Sequence, residues 1–381
     1  MPTTNLSDVS KKIIVPRLIC FSWLIAKAIS WKVWLADRLF PVVPPFNFLF
    51  VPSAIHLVLF IFSILTLFAL LIFPVKRILQ VSVILIEVLS CSLDQNRWQP
   101  WEYQYIFIIL ALIINYKSEK NALSVIAFIF VSTYFFSGVG KMNPVFSQSV
   151  MHKMMLLGIF HPGNSILYNG AIFHAGYFSG TIEILLSLGL LFQRTKKIAA
   201  LFLIIMHLVI LAILGPFGMD YNEIIWPLNI MMIIILYLLF TRNAPVSISF
   251  PAIKQGWNKL IIVFFGILPV LNFFGYWDFF LSASLFSSRP PDMYICIHHP
   301  GTSEVLQPFP AGYKNKFLCD STSTLLDVRE WSFREMQVPP YPEIRIYKSI
   351  KEQMLKRYPD MNATFTVYRY SNGRKTRMEL K

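Results

Sequence analysis

Residues Phe48–Phe73 read FLFVPSAIHLVLFIFSILTLFALLIF. A helix needs about 20 apolar residues to cross a hydrocarbon core, and this run supplies them with His56 as its one ionisable interruption. Further apolar runs follow at Ile78–Ser92, Trp101–Ile114, Ala122–Gly138, Gly176–Phe192, Ile198–Leu214, Asn222–Phe240 and Leu260–Trp277. Several are near fifteen residues and need help from flanking residues or local bilayer thinning to span. Upstream, Ile13–Phe40 is rich in Trp, Leu and Ile but holds Arg17, Lys27 and Lys32. It reads either as a poor first span or as an amphipathic helix on the membrane surface.

The expected fold is therefore an all-α polytopic membrane bundle of eight or nine transmembrane helices, with a small C-terminal extracytoplasmic α+β domain. The chain divides on this reading into residues 1–45 (the N-terminal segment), 46–286 (the transmembrane domain) and 287–381 (the soluble domain). Composition agrees. Of 381 residues, 55% are hydrophobic and only 14% charged, where a soluble protein carries about a quarter. A soluble enzyme and a disordered chain are both excluded. Net charge is +14, but the basic residues of the apolar region sit in short loops, where they set orientation. Nucleic acid is not an expected partner. No CxxC is present, so neither zinc nor thioredoxin-type chemistry is signalled. Lys11 and Lys12 precede a mixed segment with no small-residue cleavage site, unlike a cleavable leader.

Alternate loops are basic: Lys76 and Arg77, Lys117 and Lys120, Arg194 with Lys196 and Lys197, Arg242 with Lys254. Basic loops mark the cytoplasmic face. The remaining loops, Asp94–Trp98 and Gly215–Glu223, are placed outside, and so is the tail. In the tail, Asp292–His298, Ala363–Tyr370 and Arg374–Leu380 read as strands. Ser371-Asn372-Gly373 reads as a hairpin turn and Ile344–Arg357 as an amphipathic helix. Cys296 and Cys319 are either disulfide-bonded or free there.

Ionisable residues inside spans are costly and point to function. His56, Glu87, Glu183 and His207 all fall roughly 8–12 Å below the outer face at the helical rise. Lys141 ends the fourth run on the same face, beside Gly138 and Gly140, which permit close backbone approach. Val145–His174, with His152, Lys153 and His161, reads as short helices forming a lid. Two polar-aromatic clusters share the face: Trp98–Gln104, with Trp101 and Tyr103, and Asn222–Asn229, with Trp226. Together they suggest a polar cavity open to the outside. A lysine at a low-dielectric site loses basicity and can act as a base, and a Glu–His pair can relay protons. Blander roles stand beside these. Lys141 can snorkel to headgroups, the histidines can hold helices together, the glutamates can pair with them, and the Trp clusters can form an aromatic belt. Two His and two Glu could bind a metal, but they come from separate helices without tight spacing, and no metal is expected.

The stretch Tyr134–Asn143, YFFSGVGKMN, resembles the segment Y-F-x-A-G-x-x-K-L-(D/N) of the HTTM family, which includes the vitamin K-dependent gamma-glutamyl carboxylase. Thr181-Ile182-Glu183, Met206-His207 and Gly215-Pro216-Phe217-Gly218 follow in the expected order. Trp98–Tyr105 looks like the L-Q-P-W-x-Y-Q-Y element of bacterial HTTM-like and DoxX-like proteins. The resemblance covers about residues 10–285. It implies a quinone or hydroquinone as cofactor and Lys141 as the base working with it, with His207 and Glu183 nearby. His56, Glu87, Trp101, Tyr103, Asn222 and Trp226 are the candidate cofactor contacts. The sequence departs from the carboxylase in carrying Gly140 before Lys141, Asn143-Pro144-Val145 after it, and only about ninety residues in place of the large lumenal region. Carboxylation of protein glutamates is therefore not the expected reaction. The expectation is a quinone-linked membrane enzyme, and two other readings stand beside it. One is a non-catalytic module that binds membrane lipids or an extracytoplasmic protein partner and assists export or maturation. The other is a transporter, disfavoured by the missing repeat symmetry. The bacterial inner membrane is the expected location.

Overall fold

The eight apolar runs are all helical in the computed structural model, which describes residues 10–151, 171–242, 245–284, 287, 289–298, 318–320, 323–371 and 374–380. Helix α1 spans Lys11–Ile29, α2 Ser53–Ile72, α3 Arg77–Leu93, α4 Pro100–Ile114 and α5 Glu119–Lys141. Helix α6 spans Ala171–Gly189, α7 Lys196–Leu214, α8 Ile225–Leu236 and α9 Gly256–Asn272. Their ends follow local chemistry. Pro100 opens α4, where its missing N–H costs nothing. Ser118 Oγ accepts from the Asn121 N–H at 3.3 Å and caps α5. Glu119 in the first turn and Lys141 in the last suit the dipole of that helix.

The expected count of eight or nine spans does not hold. Among the described residues, α2, α5 and α7 are long and apolar enough to cross a membrane. Helix α4, α8 with its continuation to Thr241, and α9 are apolar but shorter. The reason is length: a fifteen-residue helix rises about 22 Å, against a core of about 30 Å. Helix α9 is also interrupted by a wide turn at Val263–Ile267 and by Pro269. The N-terminal segment is helical only to Ile29; a tight turn at Trp31–Trp34 follows, and Lys27 is fully buried rather than at a surface. Helix α5 is mostly buried, whereas α2 and α7 expose apolar faces such as Leu57, Phe62 and Leu65, and Leu201, Phe202 and Ile205. Such faces suit a lipid surround.

The chain forms two compact units. The first comprises residues 1–29, 61–88 and 100–288, and the second residues 30–60, 89–99 and 289–381. The second unit carries a four-stranded antiparallel sheet of order β2-β1-β3-β4, with β1 Asp292–Ile297, β2 Thr324–Asp327, β3 Ala363–Ser371 and β4 Arg374–Glu379. Strands β1, β3 and β4 lie where alternation predicts them. Ser371 pairs with Arg374, and the intervening Asn372 and Gly373 lie outside the described residues. Strand β2 was not foreseen, nor was helix α10 at Val328–Met336, which is capped by Asp327. Helix α11, Ile344–Arg357, matches its predicted bounds. Cys296 and Cys319 are disulfide-bonded, with Cα atoms 5.6 Å apart.

Residues 30–60 and 89–99 are integral to this unit. Phe40 packs on Trp331 with centroids 4.7 Å apart, and the Phe40 N–H donates to Glu335. The Tyr341 N–H donates to Asn96 at 3.2 Å, and Gln99 donates to the Pro339 carbonyl at 3.0 Å. Arg97 is fully buried and donates to the carbonyls of Val33, Trp34 and Ser90. Arg38 pairs with Asp94. Burial alone would raise the Asp94 carboxyl, but Arg38 and Arg97, with hydrogen bonds from Arg38 and the Val43 N–H, hold it below the usual carboxylate range.

Candidate functional site

Two glycines bring α5 against α6. A methyl group on Gly138 would lie 2.8 Å from the Gly180 carbonyl, and one on Gly180 would lie 2.9 Å from the Gly138 carbonyl. No side chain larger than hydrogen fits either place, so the two backbones touch. One turn further along each helix stand Lys141 and Glu183, and their side chains form an ion pair. Both are largely buried, Glu183 more so than Lys141. The glycine contact thus sets the distance at which the lysine and the acid meet. Of the two glycines beside Lys141, Gly138 makes the close approach; Gly140 is in ordinary contact with Ser287.

On α7, His207 is held from both ring nitrogens. Asn229 donates its amide to the Ile225 carbonyl at 2.8 Å, which turns its Oδ1 toward His207 Nδ1, 2.6 Å away. An oxygen there accepts, so Nδ1 carries the proton. Nε2 is then the acceptor and takes the hydroxyl of Tyr134 at 2.7 Å. The chain Tyr134–His207–Asn229 links α5, α7 and α8 and fixes one tautomer of the imidazole.

These groups line one cavity of about 120 Å³. Lys141, Glu183, His207 and Tyr103 all reach it, although they come from four separate helices. Phe136, Met206, Ile210, Leu228 and Phe265 make most of the wall apolar. Tyr103 donates to the Phe264 carbonyl at 3.2 Å and stacks on Phe265 with centroids 5.2 Å apart.

The other predicted site residues lie elsewhere. His56 belongs to the second unit, with Nδ1 2.8 Å from Arg97. Glu87 is in the first unit, paired with Lys27 at 2.8 Å. Trp101 is buried 6.1 Å from the Tyr105 ring. Trp226 donates to the Leu214 carbonyl at 3.1 Å, and Asn222 sits in the left-handed region of the loop before α8. None of these lines the Lys141 cavity. The glutamates pair with lysines rather than with histidines. The lid residues His152, Lys153 and His161 lie outside the described residues. No group of metal-ligating side chains is found among the described residues.

Sequence reasoning did not single out Tyr134, Asn143 or Asn229. Tyr134 and Asn143 bound the motif around Lys141, and Asn229 closes the second polar-aromatic cluster. Asn143 ties the end of α5 down, donating to the carbonyls of Gly140 and Ser287, each at 2.8 Å, and accepting from the Phe146 N–H at 2.9 Å. A buried amide in an apolar setting was the available signal. Compared with models of known families, with curated proteins and with solved structures, the chain finds no match.

Proposed function

We propose that the protein is an integral-membrane enzyme that admits a lipid-soluble ring, of quinone or hydroquinone type, to the Lys141 cavity and uses Lys141 as a base. The observation that carries this reading is the convergence of Lys141, Glu183 and His207 on one mostly apolar cavity. An apolar cavity of roughly 150 Å³ takes up benzene, so about 120 Å³ suits a ring rather than a peptide. Apolar walls fit the ring, and the Lys141 amine with the Tyr134 hydroxyl fits its oxygens. Such a group supplies two-electron chemistry and acidic hydroxyls when bound. The residues of the chain do the rest. Glu183 is placed to take the proton of the Lys141 ammonium, leaving a free amine that can remove a proton from a bound hydroxyl. Tyr134 and His207 hold a second proton path, its direction set by Asn229. This assignment accords with the HTTM resemblance.

The same proposal places the chain in a bacterial inner membrane, with more of its apolar helices crossing than α2, α5 and α7. The sheet-bearing tail then faces out of the cytoplasm, and the Cys296–Cys319 disulfide suits that oxidising side. A second reading, a lipid-binding module without turnover, is favoured by the apolar walls alone. The test is mass spectrometry of small molecules carried by protein purified in mild detergent, as wild type, Lys141→Ala and Glu183→Gln. A quinone or distinct lipid in the wild type, lost from both variants, is the expected result. A ligand retained by both variants favours the module, and bulk lipid alone in all three overturns the site.

A further inference from the structure

A second polar cluster lies in the same unit, apart from the residues used above. Lys27 on α1 donates to Glu87 Oε2 on α3 at 2.8 Å, and Ser63 on α2 donates to Glu87 Oε1 at 2.5 Å. Trp23 on α1 donates to Glu102 Oε2 on α4 at 2.6 Å. Lys27, Glu87, Glu102 and Trp23 are all fully buried. Trp23 and Lys27 stand one turn apart on α1, so the acids they hold, Glu102 and Glu87, come to the same face of that helix. Among the described residues, Glu102 Oε1 has no hydrogen-bond partner, although it is buried. A further titratable group beside Glu102 is the buried Tyr105 phenol, also on α4.

A fully buried carboxylate oxygen with no donor is costly, and a proton on the carboxyl removes that cost. Charge leads to the same count. Two carboxylates and one ammonium leave a net negative charge in a fully buried site, and one bound proton cancels it. We propose that Lys27, Glu87 and Glu102 form a proton-binding site, in which the two carboxyl groups hold one proton between them beside the lysine ammonium. The proton belongs to the pair rather than to either acid. Binding it breaks no covalent bond; the proton comes from and returns to water. Helix α4 carries both Glu102 and, on its cavity side, Tyr103 and Gln104. Gain or loss of this proton therefore acts on a helix that lines the Lys141 cavity.

Infrared spectroscopy of the full-length protein in lipid nanodiscs tests the site. Wild type at neutral pH should show the carbonyl stretch of a protonated carboxylic acid, shifted in heavy water. The band should vanish in Glu102→Gln and in Glu87→Gln and persist in Glu183→Gln. Lys27→Met removes the cation, so the pair should take up a second proton and the band should grow to about twice its size. A folded wild type without the band, or a band unchanged in both Glu102→Gln and Glu87→Gln, overturns the proposal. If those two variants fail to fold, the Lys27→Met band decides it, and an undiminished single band there counts against the site.

Discussion

Lys141 and Glu183 stabilise each other only as a pair. Lys141→Met leaves a largely buried carboxylate without its cation and should cost about 3 kcal/mol, while Lys141→Met with Glu183→Met should recover most of that. Thermal unfolding of the two single variants and the double variant in one detergent measures the coupling. Tyr134→Phe takes the donor from His207 Nε2 and should cost about 1–3 kcal/mol, read by the same melts. Asp94 makes a pH prediction. Its folded carboxyl titrates below the unfolded value of about 3.9, so its contribution to stability is complete above that value. It is lost as pH falls through the unfolded value toward the folded one. Asp94→Asn should lower stability at neutral pH and flatten its decline in acid, measured by melts from neutral pH downward. Individual side chains were partly legible. Lys141, Glu183 and His207 stood out because ionisable groups in apolar runs are rare. Lys27 and Glu102 were passed over, one in a segment read as a poor first span or a surface helix and the other as part of an interfacial cluster. Burial of a charge depends on partners far away in the chain, such as Glu87 for Lys27, and spacing alone does not reveal them.

At the scale of elements, the contact of α5 with α6 decides the geometry of the cavity. Gly138→Val would drive a branched side chain into the Gly180 carbonyl and the Ile184 backbone. It should cost about 1–3 kcal/mol or more and separate Lys141 from Glu183, so ligand retention falls with stability. In the second unit, the disulfide closes a loop with its cysteines 23 positions apart. Cys296→Ser with Cys319→Ser should destabilise that unit by about 3 kcal/mol, seen as a shift of its unfolding midpoint. Helical elements were legible from apolar runs, and α11 from its 3.6-residue periodicity. Strand β2 was not, because its sequence Thr324-Leu325-Leu326-Asp327 is too short to show alternation and is shaped by pairing with β1. The number of full spans was overread for a related reason. An apolar run shows that a helix is buried in something apolar, and only its length separates lipid from protein.

Across the whole molecule, order along the chain and membership of a unit part company. The boundary expected near residue 287 is legible in composition, where apolar runs give way to ordinary polar sequence. What composition could not show is that residues 30–60 and 89–99 belong with the sheet. Their ties are the packing of Phe40 on Trp331 and polar contacts such as Asn96 with Tyr341 and Gln99 with Pro339, which carry no local signature. The consequence concerns how the gene can be cut. The backbone passes between the two units five times, after residues 29, 60, 88, 99 and 288. A stop codon after residue 288 would not trim away an appendage. It would strand two inserted segments whose partners, Trp331, Glu335, Pro339 and Tyr341, are encoded downstream. Limited proteolysis of such a truncated product should cut within residues 30–60, where the full chain resists, and a linker-joined tail expressed alone should need both upstream segments to become soluble.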